Sequence, residues 1–390
     1  MAETPTRDEL VARAHSLIPL LAANAERTEA DRRVADENVA AIEEAGLYGL
    51  AVPAKFGGLE ASLNTWVDVS ATLARGCGST AWTLSLSVVT TWLLSRFSDE
   101  AQNEIFGNGP AVRASGVFTP TGTATRADGG WIVTGRWPWA SGIWHAHWAV
   151  VAFEVLDESG TATGVSFGIL PTTETTVDDT WFVTGMAGSG SATVVAENVF
   201  VPDHRVLPVE EVMAGGQAPV GTIYRAPVIA VGSITIAAPQ LGIAAAALDH
   251  VIDKAPDRGV AYSVYTSQVD SPTVQIGVGD AAATIDAATL VIDGLAREVT
   301  AAAEAGRELG VVERTRIRAV TASAVRSSRD AVAALASAHG TSSFAVTSPI
   351  QRWWRDAGVV SRHAFFLYET AVEVHGKALL GVENLPSTLI

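Results

Sequence analysis

Apolar residues in the N-terminal third of the chain recur at helical spacing. Leu10, Val11, Ala14, Leu17, Ile18 and Leu21 share one face of a helix over 7–24. The period returns over 36–45 and stops at Gly46, a residue suited to closing a helix. Residues 49–58, with Pro53 and the Gly57-Gly58 pair, read as a turn-rich connector. Two further apolar helices follow over 63–75 and 79–97. Near Val112 the texture changes, and from there to about Pro208 the chain reads as strands. Gly129-Gly130 marks a hairpin turn before the run from Trp131. Strand-like runs recur over 147–153, 165–170 and 192–201. No strand–helix alternation appears, which argues against a doubly wound sheet.

Beyond Gly215-Gly216, a short connector, long alanine-rich helices return over 234–252, 271–305, 313–339 and 351–380. They read as a four-helix bundle. The stretch 228–248 is uncharged and long enough to cross a bilayer. It carries Ser233, Thr235, Pro239 and Gln240 and lacks basic or aromatic flanks, so a buried bundle helix is the better reading. The domain plan is α+β: a helical domain over 1–111, a β domain over 112–214 and a helical bundle over 215–390. No fixed-period repeat interrupts it.

Composition narrows the function classes. Of 390 residues 48% are hydrophobic and 17% charged, the balance of a globular chain. A net charge of −16 argues against nucleic acid or an anionic membrane as partner. The one cysteine, Cys77, allows no intramolecular disulfide, which suits a reducing, cytoplasmic setting. The 11 tryptophans are many for this length; most should be core, and several suit an aromatic-lined pocket.

Short motifs add little by themselves. Residues 164–168 match G-x-S-x-G, but the apolar run continues to Pro171, so this is a strand and not a nucleophile elbow. Residues 185–191 (GMAGSGS) form a glycine-rich loop without the ending of a P-loop. No dinucleotide fingerprint appears elsewhere. His145 and His147 would share one face of a strand, too few ligands for a metal site. His363 falls on an expected helix among Trp353, Trp354, Phe365, Phe366 and Tyr368.

Longer segments carry a resemblance. Residues 41–58 (AIEEAGLYGLAVPAKFGG), 115–124 (SGVFTPTGTA), 135–142 (GRWPWASG) and 180–202 (TWFVTGMAGSGSATVVAENVFVP) resemble, in this order, segments of the acyl-CoA dehydrogenase superfamily. The likeness covers nearly the whole chain. Residues 139–148 (WASGIWHAHW) and 348–356 (SPIQRWWRD) are similar to blocks of its two-component, flavin-dependent aromatic hydroxylases (group D), including an indole-oxidising branch. Two departures stand out. Ala187 replaces an arginine of the glycine loop. The helix after Ser79-Thr-Ala-Trp82 carries no histidine, although several relatives use one there to assist a substrate phenol.

The resemblance implies the acyl-CoA dehydrogenase fold and an oxygenase component that uses reduced FAD, or FMN, with O2. Oxygen would add at flavin C4a to give a hydroperoxide that hydroxylates a small electron-rich aromatic substrate. Electrons would come from a separate NAD(P)H-dependent flavin reductase. Ser141 would bond flavin N5, and His363 would serve the C4a-oxygen region as donor or general acid. Phe118, Thr119, Gly122 and Trp139 would line the isoalloxazine, with Trp82, Trp92 and Phe366 as substrate-pocket walls. The missing histidine favours an indole-type substrate over a phenol. The resemblance also implies a homotetramer, a dimer of dimers. An acyl-CoA dehydrogenase and an amino-sugar N-oxygenase are the alternatives on the same scaffold. The first needs a glutamate base, for which no matching motif is present.

Overall fold

A computed structural model describes residues 4–214 and 222–387; the connector at Gly215-Gly216 lies outside them. Six helices come first: α1 (Arg7–Ala23), α2 (Ala25–Ala30), α3 (Asp36–Glu44), α4 (Leu63–Ala74), α5 (Gly78–Leu94) and α6 (Asp99–Phe106). Local chemistry sets their ends. Thr6 and Glu9 form a reciprocal capping box at α1. Ser62 and Ser98 cap α4 and α6. Gly46 takes the left-handed conformation just past α3, as its position predicts.

Seven strands follow: β1 (Ala114–Ala127), β2 (Gly130–Ala140), β3 (Trp148–Leu156), β4 (Ala162–Pro171), β5 (Thr176–Asp178), β6 (Ala192–Pro202) and β7 (Val206–Pro208). They form one mixed sheet in the order β5-β6-β2-β1-β3-β4-β7. The expected hairpin joins β1 to β2 through Asp128-Gly129, with Gly129 left-handed. The G-x-S-x-G stretch lies inside β4. β1 and β3 run parallel, and every other pair is antiparallel.

After the short α7 (Val209–Met213) the bundle comprises α8 (Val228–Lys254), α9 (Pro272–Glu304), α10 (Val311–His339), α11 (Pro349–Val360) and α12 (Tyr368–Leu379). α8 packs against α4, α5, α9, α10 and α11. Two helices are long and apolar enough to cross a membrane. In the first, which includes α8, 94% of the apolar window is buried inside the protein, as expected of a bundle core. The second, α9, buries one face and leaves Ile276, Leu290 and Val291 exposed on the other.

The structure corrects one element. The run 351–380 is not one helix. α11 ends at Val360, and a single 3-10 turn, Ala364–Phe366, precedes α12. His363 leaves the helical region (φ −59°, ψ 147°), and its Nδ1 accepts the Phe365 N–H at 3.3 Å. The imidazole takes a bond the helix would have made, while Phe365 and Phe366 turn into the core.

Candidate active site

The site forms where two neighbouring strands part. β1 and β2 pair from Ala127–Gly130 to Gly122–Gly135 and no further. Beyond that point Phe118, Thr119, Pro120 and Thr121 leave the ladder with β3, between the pairs Val117–Val151 and Gly122–Phe153. β2 in turn loses register with β6 between Trp137 and Ala140. Bulges of this kind bend a strand and re-aim its side chains. Two glycines make the parting possible. A Cβ on Gly135 would lie 2.6 Å from the Trp137 ring, and one on Gly122 would overlap the same ring. The buried Trp137 indole occupies that space and donates to Ala152 O at 2.6 Å, opposite the bulge.

Gly122→Ala is therefore expected to cost about 1–3 kcal/mol, the usual penalty for overfilling a packed core. Denaturant unfolding of the apoprotein measures it. Thr123→Ala, at the next position of β1, is the control.

The second bulge turns Trp139 outward. Its backbone is left-handed (φ 66°), uncommon for a residue with a Cβ, and its side chain is 63% exposed. Ser141 N–H donates to Trp139 O at 2.9 Å and holds the turn. Ser115 Oγ fixes the same segment by donating to Ser141 O at 2.9 Å. Ser141 itself is buried. Its Oγ accepts from Trp82 Nε1 at 3.2 Å and lies 2.7 Å from Ser191 Oγ, which lies 2.7 Å from Ser189 Oγ.

Trp82 links this strand end to the bundle. Its ring stands edge-on to His363, with centroids 5.4 Å apart; Phe365 and Phe366 pack on the imidazole at 5.2 and 6.0 Å. Burial pushes the His363 pKa down to about 4, so the ring is neutral near pH 7. Because Nδ1 accepts the Phe365 N–H, the proton of the neutral ring sits on Nε2. His363 is thus a neutral N–H donor in an aromatic, water-poor setting.

The glycine-rich loop that supplies Ser189 and Ser191 is clamped by α11. Met186 is left-handed (φ 54°), and its N–H donates to the buried Asp356 Oδ1 at 2.5 Å. Arg355 bonds Thr184 O and pairs with Glu29. A Cβ on Gly185 would strike the Arg355 carbonyl. Burial raises the Asp356 carboxyl to about 6 against the opposing pull of the Met186 N–H. Sequence reading takes this loop only as a weak phosphate-type cradle and misses its serines. The signal for them was the pair Ser189 and Ser191 around Gly190; a 3-10 turn over Ala187–Ser189 and the left-handed Gly190 bring Ser191 beside Ser141, just before β6 begins.

The arrangement suits a flat aromatic ligand. It offers an exposed indole face at Trp139 and a hydroxyl at Ser141, with a neutral imidazole donor beyond Trp82. Comparison with known proteins points the same way. Residues 7–108 match the acyl-CoA dehydrogenase N-terminal domain, and residues 234–368 match the acyl-CoA dehydrogenase C-terminal domain. The oxygenase subunit HsaA of a flavin-dependent monooxygenase from Rhodococcus jostii is 33% identical over 375 residues, covering 95% of this chain and 98% of that one. The chain belongs to the acyl-CoA dehydrogenase superfamily. Within it, the chain is a flavin-dependent monooxygenase of the two-component, oxygenase-subunit type. The oxygenase component of an FADH2-dependent resorcinol hydroxylase from Rhizobium is 31% identical, over 98% of this chain and 96% of that one. XiaF from Streptomyces, solved with FADH2 and glycerol, superposes with a TM-score of 0.94 at 35% identity, covering 98% of this chain and 97% of that one.

In this monooxygenase the other candidate residues divide. Phe118 is half-buried and edge-on to Phe167 at 5.2 Å, Thr119 is exposed on the bulge, and Gly122 sits beneath Trp137. Phe366 joins the His363 cluster. Trp92 is not brought to it. It stands ten residues beyond Trp82, about 15 Å along α5, where its Nε1 donates to Ile223 O and its ring stacks on Arg96. His145 and His147 do not share a strand face, because a 3-10 turn ends at His145 and β3 begins only at Trp148. His145 bonds Val34 O, and His147 lies 2.7 Å from an Arg113 nitrogen. Among the described residues no group of three or more His, Cys, Asp or Glu could hold a metal. Ala187, the departure in the glycine loop, is buried.

Proposed function

We propose that the chain hydroxylates a small, electron-rich aromatic compound with reduced FAD (or FMN) and O2, and that an indole-type ring is favoured over a phenol. The observation that carries this reading is the convergence of Ser141, Trp82 and His363 beside the parted strands. Bound reduced flavin would supply the activation of O2. The chain's own residues do the rest. Trp139, on the bulge of β2, offers its exposed face to the isoalloxazine, together with Phe118 and Thr119 on the bulge of β1. Ser141 offers a hydroxyl to flavin N5. His363 offers Nε2–H to the oxygen side as a donor, and Trp82 with Phe366 keeps water out.

The preference for indole rests on α5. Beside β1 this helix presents Ser87, which accepts the Ala114 N–H, and Thr90, which donates to Leu86 O. Neither is a base that could take a phenol proton, and an indole needs none because its ring nitrogen already activates the carbon. A separate NAD(P)H-dependent flavin reductase fits a chain whose relatives are oxygenase subunits and components. A dimer of dimers fits the exposed apolar face of α9.

Two measurements test the reading. The first mixes anaerobic protein and reduced flavin with oxygen and times the reappearance of oxidised flavin. Ser141→Ala is expected to shorten that delay by about 10- to 100-fold, the worth of one buried hydrogen bond. An unchanged delay removes Ser141 from the flavin. The second compares indole and phenol panels. Phenol hydroxylation with a titrating base and no indole turnover would overturn the substrate preference.

A further inference from the structure

The turn that carries His363 is held from behind. Its backbone makes one hydrogen bond with itself, from Phe366 N–H to His363 O at 2.8 Å. The carbonyls of Ala364 and Phe365 need other donors, because the helix has stopped and both phenylalanines are buried. Arg318 of α10, itself only 2% exposed, reaches them. Its Nη2 donates to Ala364 O at 3.1 Å, and its Nε approaches Phe365 O at 3.5 Å. Its Nη1 donates to Ser387 Oγ at 2.9 Å.

Ala364 O and Phe365 N are the two ends of one peptide group, which is planar and stiff. Arg318 holds the carbonyl end, and His363 Nδ1 accepts from the amide end. A cation bonded to the carbonyl polarises the group and makes its N–H a stronger donor. A stronger donor at Nδ1 keeps that nitrogen bare and leaves the ring proton on Nε2.

We propose that Arg318 is a positioning residue that, through the Ala364–Phe365 peptide, orients the His363 ring and holds it as an Nε2–H donor. This rests on the reading that gives His363 the oxygen side of the flavin. A lysine on α10 would carry the charge but lack the planar fork that spans both carbonyls and Ser387.

The test reads the full chain with flavin bound in two ways. Nitrogen NMR of protein labelled at histidine shows which ring nitrogen carries the proton; among the eight histidines, the His363 signal is the one that His363→Asn removes. Product formed per flavin oxidised shows whether the donor is in place. In wild type, Nδ1 of His363 should be bare and Nε2 protonated, and the reverse would overturn the proposal. Arg318→Lys should mix the two tautomers and lower product per flavin about tenfold, one hydrogen bond's worth, at unchanged flavin affinity. In the His363→Asn background the same substitution should change the yield by less than about twofold, because its effect passes through the ring. An equal loss in both backgrounds, or a loss with the tautomer intact, would make Arg318 only structural and overturn the proposal. Should Arg318→Lys fail to fold, Ser387→Ala loosens the guanidinium from its far side. Both readouts should then move the same way by about two- to threefold, and no movement would overturn the proposal. If His363→Asn itself leaves the yield unchanged, the donor role of His363 fails and this inference with it. If His363→Asn lowers the yield and Arg318→Lys does not, only the positioning role fails.

Discussion

His363→Asn is expected to lower aromatic hydroxylation by about 10²- to 10⁴-fold, the span typical of losing a placed proton donor. Flavin binding should change little, because Trp139 and Ser141 stand on the sheet and His363 on the bundle. The lost activity should surface as hydrogen peroxide, since flavin would still be reoxidised without transferring oxygen. Product formed per flavin oxidised is the measurement. A proportional fall in flavin affinity would instead make His363 part of the binding wall. The same substitution has a signature in stability. The folded pKa of about 4 lies below the ordinary histidine value of 6.5. The buried ring therefore resists protonation that the unfolded chain accepts freely. Its contribution is intact above about pH 6.5 and is lost as pH falls toward 4. Protonation at Nδ1 would also cost the bond from Phe365 N–H. Wild type should lose about 2–3 kcal/mol more than His363→Asn between pH 7 and pH 4.5. Chemical denaturation at the two pH values reads the difference.

Much of the architecture behind these expectations is legible in the chain. The change of period near Val112, the hairpin glycine at 129 and the stop at Gly46 follow from backbone rules that act within a few residues. The break before His363 is not legible in the same way. No proline or glycine lies between Ser361 and Tyr368, and the aromatic run reads as helix continuing. The break is a bond made by a side chain, Nδ1 to Phe365 N–H, together with burial of two phenylalanines. The parting of β1 and β2 is likewise non-local. Gly122 and Gly135 look like ordinary strand glycines until Trp137 is seen between them. Trp92 shows the converse. Its type and helix suit a pocket wall, yet the carbonyl of Ile223 and the guanidinium of Arg96 claim it. Ile223 is remote and leaves no mark at position 92; Arg96 lies only one turn on, but the carbonyls of Val212 and Ala226 that hold its buried guanidinium are remote too.

Asp356→Ala should cost about 3 kcal/mol at neutral pH, since it strips the Met186 N–H of a buried acceptor while the loop remains left-handed. Asp356→Asn should cost less, though not nothing. Its amide oxygen can still accept from Met186. Its NH2 group, however, would face the start of α5, where Asp356 Oδ2 lies 3.5 Å from the position of a Cβ on Gly78. The first turn of a helix presents its own N–H groups, so a second donor there is repelled where a carboxylate oxygen is welcome. The pH dependence runs opposite to that of His363. A carboxyl raised to about 6 is penalised when charged and relieved as pH falls through 6 toward its ordinary value of 3.8. The cost of Asp356→Asn should therefore grow by about 2 kcal/mol between pH 7 and pH 4.5. A cost that shrinks on acidification would mean that pairing with Arg352 or Arg355 outweighs burial and that the charged form is the stabilising one. The flavin site separates the two further. If Asp356 acts through the Met186 N–H, both substitutions at 356 should disturb flavin affinity through Ser189 and Ser191, and the alanine more than the asparagine.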